Sequence, residues 1–301
     1  MTLLLIWLGG VALVLPGLGA TAALRGNPRT FVTLDMAAVI FGLVSVATGL
    51  CTSLVIGVLH LVAGAPLVQF EGHVSPGGIA ASVASLAALG LMASQLSGAA
   101  VRARRGRRSA HVDSWLGEHH DLGDHEVVVV PTSSPLAYSV EGSPPQVVIS
   151  EGLRDSIGDD LVALVIDHER AHLRARHGRA LLVAALADGA FGWSTGVLRS
   201  TTALRLAVER AADETAAGGD PRRRHRLGAA MCAVGDSLRL PYGRAEQVRH
   251  RARLLVLPPD ASTAVFPLAA AAGLIALAAV AAGLMGHVAG GDLPALMAVL
   301  G

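Results

Sequence analysis

The sequence has no lysine, so all of its 24 positive charges are arginine. Together with abundant Ala and Gly, this bias points to a GC-rich coding sequence and carries no chemistry of its own. Cysteine is nearly absent. Cys51 and Cys232 are too few and too far apart for a disulfide framework or a thiolate metal site, and both are expected to be buried bystanders. Charge is scarce as well: 16% of residues are charged against 52% hydrophobic, a balance that excludes an ordinary soluble domain and places the chain in the membrane class. No internal repeat or low-complexity linker is present.

Four stretches are apolar over the roughly 20 residues that a bilayer crossing needs: Thr2–Leu24, Met36–Ala65, Gly77–Val101 and Ser262–Val288. The first has no basic residues ahead of it, unlike a secretory leader, and is expected to be a retained span. Arg25 and Arg29 follow the first stretch, Arg102, Arg104, Arg105, Arg107 and Arg108 follow the third, and Arg249, Arg251 and Arg253 precede the fourth. Positive loops stay inside. The expected layout is therefore multi-pass in the inner (cytoplasmic) membrane with the N-terminus outside. It has a membrane region over 1–101, a cytoplasmic domain over 102–259, and a fourth span with a short outer tail over 260–301.

Within the cytoplasmic part, Glu126–Pro131, Ala137–Glu141 and Gln146–Ser150 are short β-branched runs between turn residues, and predict a small antiparallel sheet. Helical spacing of Leu161, Leu164, Val165 and Leu173 predicts a helix over Asp159–His177. A second helix is predicted from about Thr202 to Ala217, ending at Gly218 and Gly219. The apolar stretch Ala180–Val197 contains Asp188, Gly189 and Gly192, and reads as a domain helix or one lying at the membrane surface.

The first helix carries His168-Glu169-Arg170-Ala171-His172. Two histidines one turn apart share a face and can reach one zinc ion, with the intervening Glu169 as general base. A catalytic zinc needs a third protein ligand. In the second helix Glu209 and Asp213, four residues apart on one face, offer it: one can bind the metal while the other supports a ligand histidine from behind, with Glu209 taken as the ligand. The bland alternative, in which Glu209 is an exposed partner of Arg205, loses to the metal reading beside the first motif.

The ordered trio QVVISEGL, DDLVALVIDHERAHLRARH and ERAADETA, covering about Val127–Ala217, resembles the gluzincin membrane peptidases of the BlaR/MecR type and their HtpX and CAAX-protease relatives. The four-span layout is similar to the BlaR/MecR arrangement, because HtpX-type relatives place spans between the two metal motifs. The resemblance implies an α-helical membrane protein with about four transmembrane helices and a cytoplasmic α+β gluzincin-type zinc peptidase domain. It implies one Zn2+ per chain and a protein or peptide substrate, with a BlaI/MecI-like repressor as the candidate. That substrate is held as an added strand along an edge at Val147, Val148 and Ile149. The short tail Ala289–Gly301 leaves no room for the family's outer sensor domain, so the peptidase carries over and antibiotic sensing does not. The remaining partners are the lipid bilayer and a possible second copy of the chain, with no direct nucleic-acid contact. Damaged membrane proteins as substrates, or a signalling scaffold with an idle zinc site, are the competing readings.

Other histidines and arginines are given bland roles. His111, His119, His120 and His125 fall in an irregular polar connector, expected to be solvated. His177 is expected to cap the end of the first helix, and the basic run Pro221–Arg226 to meet anionic headgroups. His225, Tyr242 and His250 are all open as oxyanion donors. His60 and His287 give no pathway.

Overall fold

The computed structural model describes residues 2–18, 27–62, 76–237, 242–256 and 273. The predicted fourth span, Ser262–Val288, lies outside the described residues apart from residue 273. Three apolar helices come first: α1 (Thr2–Leu18), α2 (Pro28–Val62) and α3 (Pro76–Ser114). Pro28 and Pro76 each open a helix, where their lack of an N–H costs nothing. Within α2 and α3, Pro28–Val55 and Ser82–Gly106 are long and apolar enough to cross a membrane, by length and composition. Only 33% and 11% of these windows is buried inside the protein, so most of their apolar surface faces outward. Small residues let the helices close up: a Cβ on Gly9 would stand 2.8 Å from the Gly42 carbonyl oxygen. Cys51 lies exposed on α2 and Cys232 is half-buried, so neither is the buried bystander expected.

A four-stranded sheet follows, made of β1 (Glu118–Asp121), β2 (Glu126–Val130), β3 (Ala137–Val140) and β4 (Gln146–Ser150), in the order β1-β2-β4-β3. The sheet is mixed, not antiparallel: β1 and β3 run antiparallel to their neighbours, but β2 and β4 are parallel. The Pro- and Ser-rich connection after β2 carries the chain past one strand position, and β4 then folds back into the gap. Strand composition does not encode that choice. β1 corrects the polar-connector reading in part: His119 and His120 are strand residues but are exposed, as expected, whereas His125 is buried at 4% exposed.

Helix α4 (Glu151–Ile157) leads into α5 (Asp159–Ala175). The two acids at the start of α5 suit the positive end of its dipole. Val127, Val147 and Ile149 of the sheet pack with Leu153 and Val162 in one core cluster. The predicted helix through His177 breaks at Arg176, which is left-handed at φ 52° and bonds back to the carbonyls of His172 and Leu173. α6 (His177–Phe191) starts at once, and after a turn α7 (Thr195–Ala217) begins seven residues earlier than predicted. This hairpin packs among the apolar helices: Ala187 and Val197 share a core with Leu13, Val39 and Val46, and Ala180, Ala184, Leu204 and Val208 pack against Val32 and Met36. Residues on either side of the predicted boundary at 101/102 thus share core clusters. α8 (Pro221–Ser237) and α9 (Tyr242–Val256) complete the described fold. Leu227 and Leu255 from these two helices pack with Leu164 of α5.

Candidate active site

His168 and His172 project from one face of α5, and their Nε2 atoms lie 3.1 Å apart. Glu209 arrives from α7, with Oε2 3.7 Å from His168 Nε2 and Oε1 3.8 Å from His172 Nε2. A tetrahedral zinc with bonds of about 2.1 Å sets neighbouring donors about 3.4 Å apart. The three donors, all within 4.8 Å of one another, stand close to that spacing. Two imidazoles and one carboxylate form a known catalytic zinc set, and among the described residues this trio is the group that fits a metal ion.

Behind the donors lies a supporting layer. Asp213, wholly buried one turn after Glu209, places Oδ1 3.0 Å from His168 Nδ1, off the line of a straight hydrogen bond. Arg251 of α9 reaches both acids: its Nε and Nη2 donate to Asp213 at 2.9 and 2.7 Å, and its Nη1 lies 2.7 Å from Glu209 Oε2. Nδ1 of His177, a buried side chain, lies 3.1 Å from Nδ1 of His172. With Nε2 of His172 turned to a metal, its Nδ1–H is the donor and His177 the acceptor, which fixes the tautomer.

Burial and charge act in opposite directions on these groups. Burial disfavours a charged His168, but Asp213 and Glu209 outweigh it and lift the ring to about 10. Burial alone would raise Glu209; His168, Arg251 and His172 overcome it and pull the carboxyl down to about 2. His172, lacking so close a carboxylate, follows its burial down to about 4. Burial also pushes Glu169 up, against the charge of His168 and a hydrogen bond from Ser139. A shielded carboxyl with raised proton affinity is suited to taking up and returning a proton.

The site opens into a cavity of about 350 Å³ lined by His168, Glu169, Glu209 and Arg251 together with the apolar Val165, Leu227, Met231 and Val248. A second cavity, of about 380 Å³, lies behind α5 beside Asp167 and Gly219. Its arginines are committed to Asp124 and Asp167, away from the donors.

The expected substrate edge is misplaced. Val147, Val148 and Ile149 belong to β4, an interior strand flanked by β2 and β3, and are 0 to 2% exposed. The edge beside the cavity is β3, where Ala137 and its neighbour Leu136 form part of the wall. His225 lines a different cavity, and His250 is not among the residues around this one. Arg205 pairs with Asp188, not Glu209. In the basic run, Arg223, Arg224 and Arg226 pair with Asp167, Glu214 and Asp160, so the run is tied to neighbouring helices.

Arg251 was legible only as a positive charge near a span, since nothing in its spacing points to Asp213. His177 was hidden for a geometric reason. Five residues on in an unbroken helix it would point about 140° away from His172, and only the left-handed Arg176 swings it back.

No curated protein and no solved structure matches the chain. Residues 102–233 do match the model of peptidase family M48, and with the His168, His172 and Glu209 cluster inside that stretch the match supports a metallopeptidase of the M48 zinc family.

Proposed function

We propose that this chain is a membrane-embedded, zinc-dependent endopeptidase that cuts peptide bonds of a protein at the cytoplasmic face of the inner membrane. The observation that carries the reading is the convergence of His168, His172 and Glu209 beside Glu169 at the floor of an open cavity. The bilayer is supported by the outward apolar surface of α2 and α3, where Ile40, Val44, Val83, Leu86 and Leu91 are exposed.

His168, His172 and Glu209 would hold the zinc, which when bound polarises the scissile carbonyl and acidifies a water. Glu169 takes the proton from that water and passes it to the leaving amine. Asp213 and His177 orient the two ligand rings, while Arg251 orients Glu209 and balances the buried acids. The apolar wall of the cavity shields Glu169 from bulk water, which keeps its proton affinity raised.

Two substrates remain in view. The M48 match covers the peptidase without singling out the BlaR/MecR type, so cleavage of a BlaI/MecI-like repressor rests on the sequence resemblance. Membrane-protein quality control of the HtpX kind is favoured by one feature, the hairpin that α6 and α7 drive among the apolar helices between the two metal motifs. The test is zinc content and peptide cleavage of the detergent-purified protein, its Glu169→Gln variant and its Glu209→Ala variant. Glu169→Gln is expected to keep about one zinc and lose activity by about 10²–10⁴-fold, and Glu209→Ala to lose both. Zinc binding that ignores Glu209 would remove the site assignment.

A further inference from the structure

The α6–α7 hairpin packs among the apolar helices. On α2 the core cluster that the hairpin joins extends from Val39 to Val46, the latter ten residues or about 15 Å beyond Met36, where the predicted apolar run begins. On α3, Gly189 packs so closely that an added Cβ would meet the Ala99 Cβ at 3.0 Å and the Gln95 carbonyl at 3.1 Å, short of the arginine cluster that starts at Arg102. On α1, Ser200 Oγ accepts from Gly17 N–H at 2.9 Å and donates to the Val14 carbonyl at 3.0 Å. The turn at Gly192–Ser194, between Gly189 and Gly196, therefore lies alongside the apolar windows of α2 and α3, which are long enough for a hydrocarbon core of about 30 Å, and beside the last turn of the shorter α1.

The tip is built for an apolar solvent. Trp193 is 81% exposed, and its ring stands 6.4 Å from that of Phe191. Polar backbone at the turn is closed internally: Ser194 N–H donates to the Phe191 carbonyl at 2.8 Å, Leu198 N–H to the Ser194 carbonyl at 3.0 Å, and Val197 N–H to Ser194 Oγ at 3.4 Å. The ionisable Asp188 is matched within the hairpin by the Thr201 hydroxyl and by Arg205, each at 2.6 Å. Internal closure of these groups is what hydrocarbon demands, while Arg199, exposed on α7 six residues past Trp193, is the charge that the hairpin would have to extend toward the headgroups.

We infer that α6–α7 is a re-entrant hairpin that enters the bilayer from the side of the metal site, turns at about mid-depth on Trp193, and has the lipid acyl chains as its partner. The hairpin sets the height of the chemistry. Glu209 lies fourteen residues beyond Thr195, about 21 Å along α7, which holds the metal site at the level of the headgroups. The inference rests on the membrane reading proposed above.

The experiment uses the full chain in phosphatidylcholine–phosphatidylglycerol vesicles with one tryptophan retained. Trp7 and Trp115 are 65% and 80% exposed, so Phe at these positions disturbs little packing, and the W7F/W115F variant reports Trp193 alone. Its emission is expected to be blue-shifted, to be largely lost when the lipids carry bromine deep in the acyl chain, and to resist aqueous iodide. The W115F/W193F variant reports Trp7 on α1 as a control. If Trp7 responds to the brominated chains while Trp193 responds to iodide, α1 is inserted and the hairpin inference is overturned. If both tryptophans respond to iodide alone, the membrane reading fails first and takes the hairpin with it.

Discussion

Arg251 holds Asp213 by two parallel contacts, Nε to Oδ2 at 2.9 Å and Nη2 to Oδ1 at 2.7 Å, and the aspartate it holds is inaccessible to solvent. The third reach of the same guanidinium, to Glu209, makes α9 part of the metal site although it carries no ligand.

Removing that fork leaves a buried carboxylate without its cation. Arg251→Ala is expected to lose about 3–5 kcal/mol of stability and about 10–100-fold in zinc affinity. Arg251→Lys keeps the charge without the planar fork and should fall between the two. Thermal melts in detergent and competition with a chromophoric chelator measure both quantities. Parental zinc affinity in Arg251→Ala would show that the contact supports packing alone.

His177 offers a sharper separation of packing from orientation. His177→Phe fills the site but cannot accept the His172 proton, so zinc affinity is expected to fall about 10–100-fold, as in His177→Ala. Full affinity in the Phe variant would mean that the ring acts by volume.

The edge strand makes a prediction about substrate. Leu136 accepts from the Ser150 N–H at 3.1 Å, which makes Leu136 and Ser150 a hydrogen-bonded pair of the antiparallel ladder. By alternation, Ala137 turns its N–H outward from β4. Ala137→Pro removes a donor that β4 does not use, and proline is tolerated at such positions. An extended peptide added along β3 would lose one main-chain bond. The expected result is a raised KM with unchanged zinc content; an unchanged KM would place the peptide elsewhere.

Asp124 ties the β1–β2 turn to α5, accepting from Arg170 at 2.7 Å and Arg174 at 2.9 Å, with His125 Nδ1 at 2.6 Å. Hydrogen bonds from Arg170, His125 and Arg174 hold its carboxyl well below the ordinary 3.8. The stabilisation is therefore full above that ordinary value and fades as pH falls through the lowered one. Asp124→Asn should melt below the parent at neutral pH, and the gap should narrow in acid. A gap independent of pH would contradict the ionic role.

Much of the site was legible because it is local. His168, Glu169 and His172 lie within five residues, and helical periodicity alone puts both histidines on one face. Glu209 and Asp213 repeat the same spacing on a second helix, so only the meeting of the two helices remained to be decided. The apolar runs of α2 and α3 were equally plain, since length and composition suffice for them.

Direction and distance in the tertiary fold decided the rest. Val147, Val148 and Ile149 carry the same β-branched chemistry whether their strand is interior or at an edge, and only the parallel pairing of β2 with β4 made β3 the edge beside the cavity. Arg251, 38 residues from Asp213, and His177, beyond a left-handed residue, reached the metal site through turns that no periodicity announces. The sequence by itself determined the candidate donors, the carboxyl of Glu169 between them and the apolar helices, because each depends on neighbours within a few turns. The fold decided what supports those donors and how far the α6–α7 hairpin runs among the apolar helices, because long-range packing energy selects among placements that local propensity leaves equal.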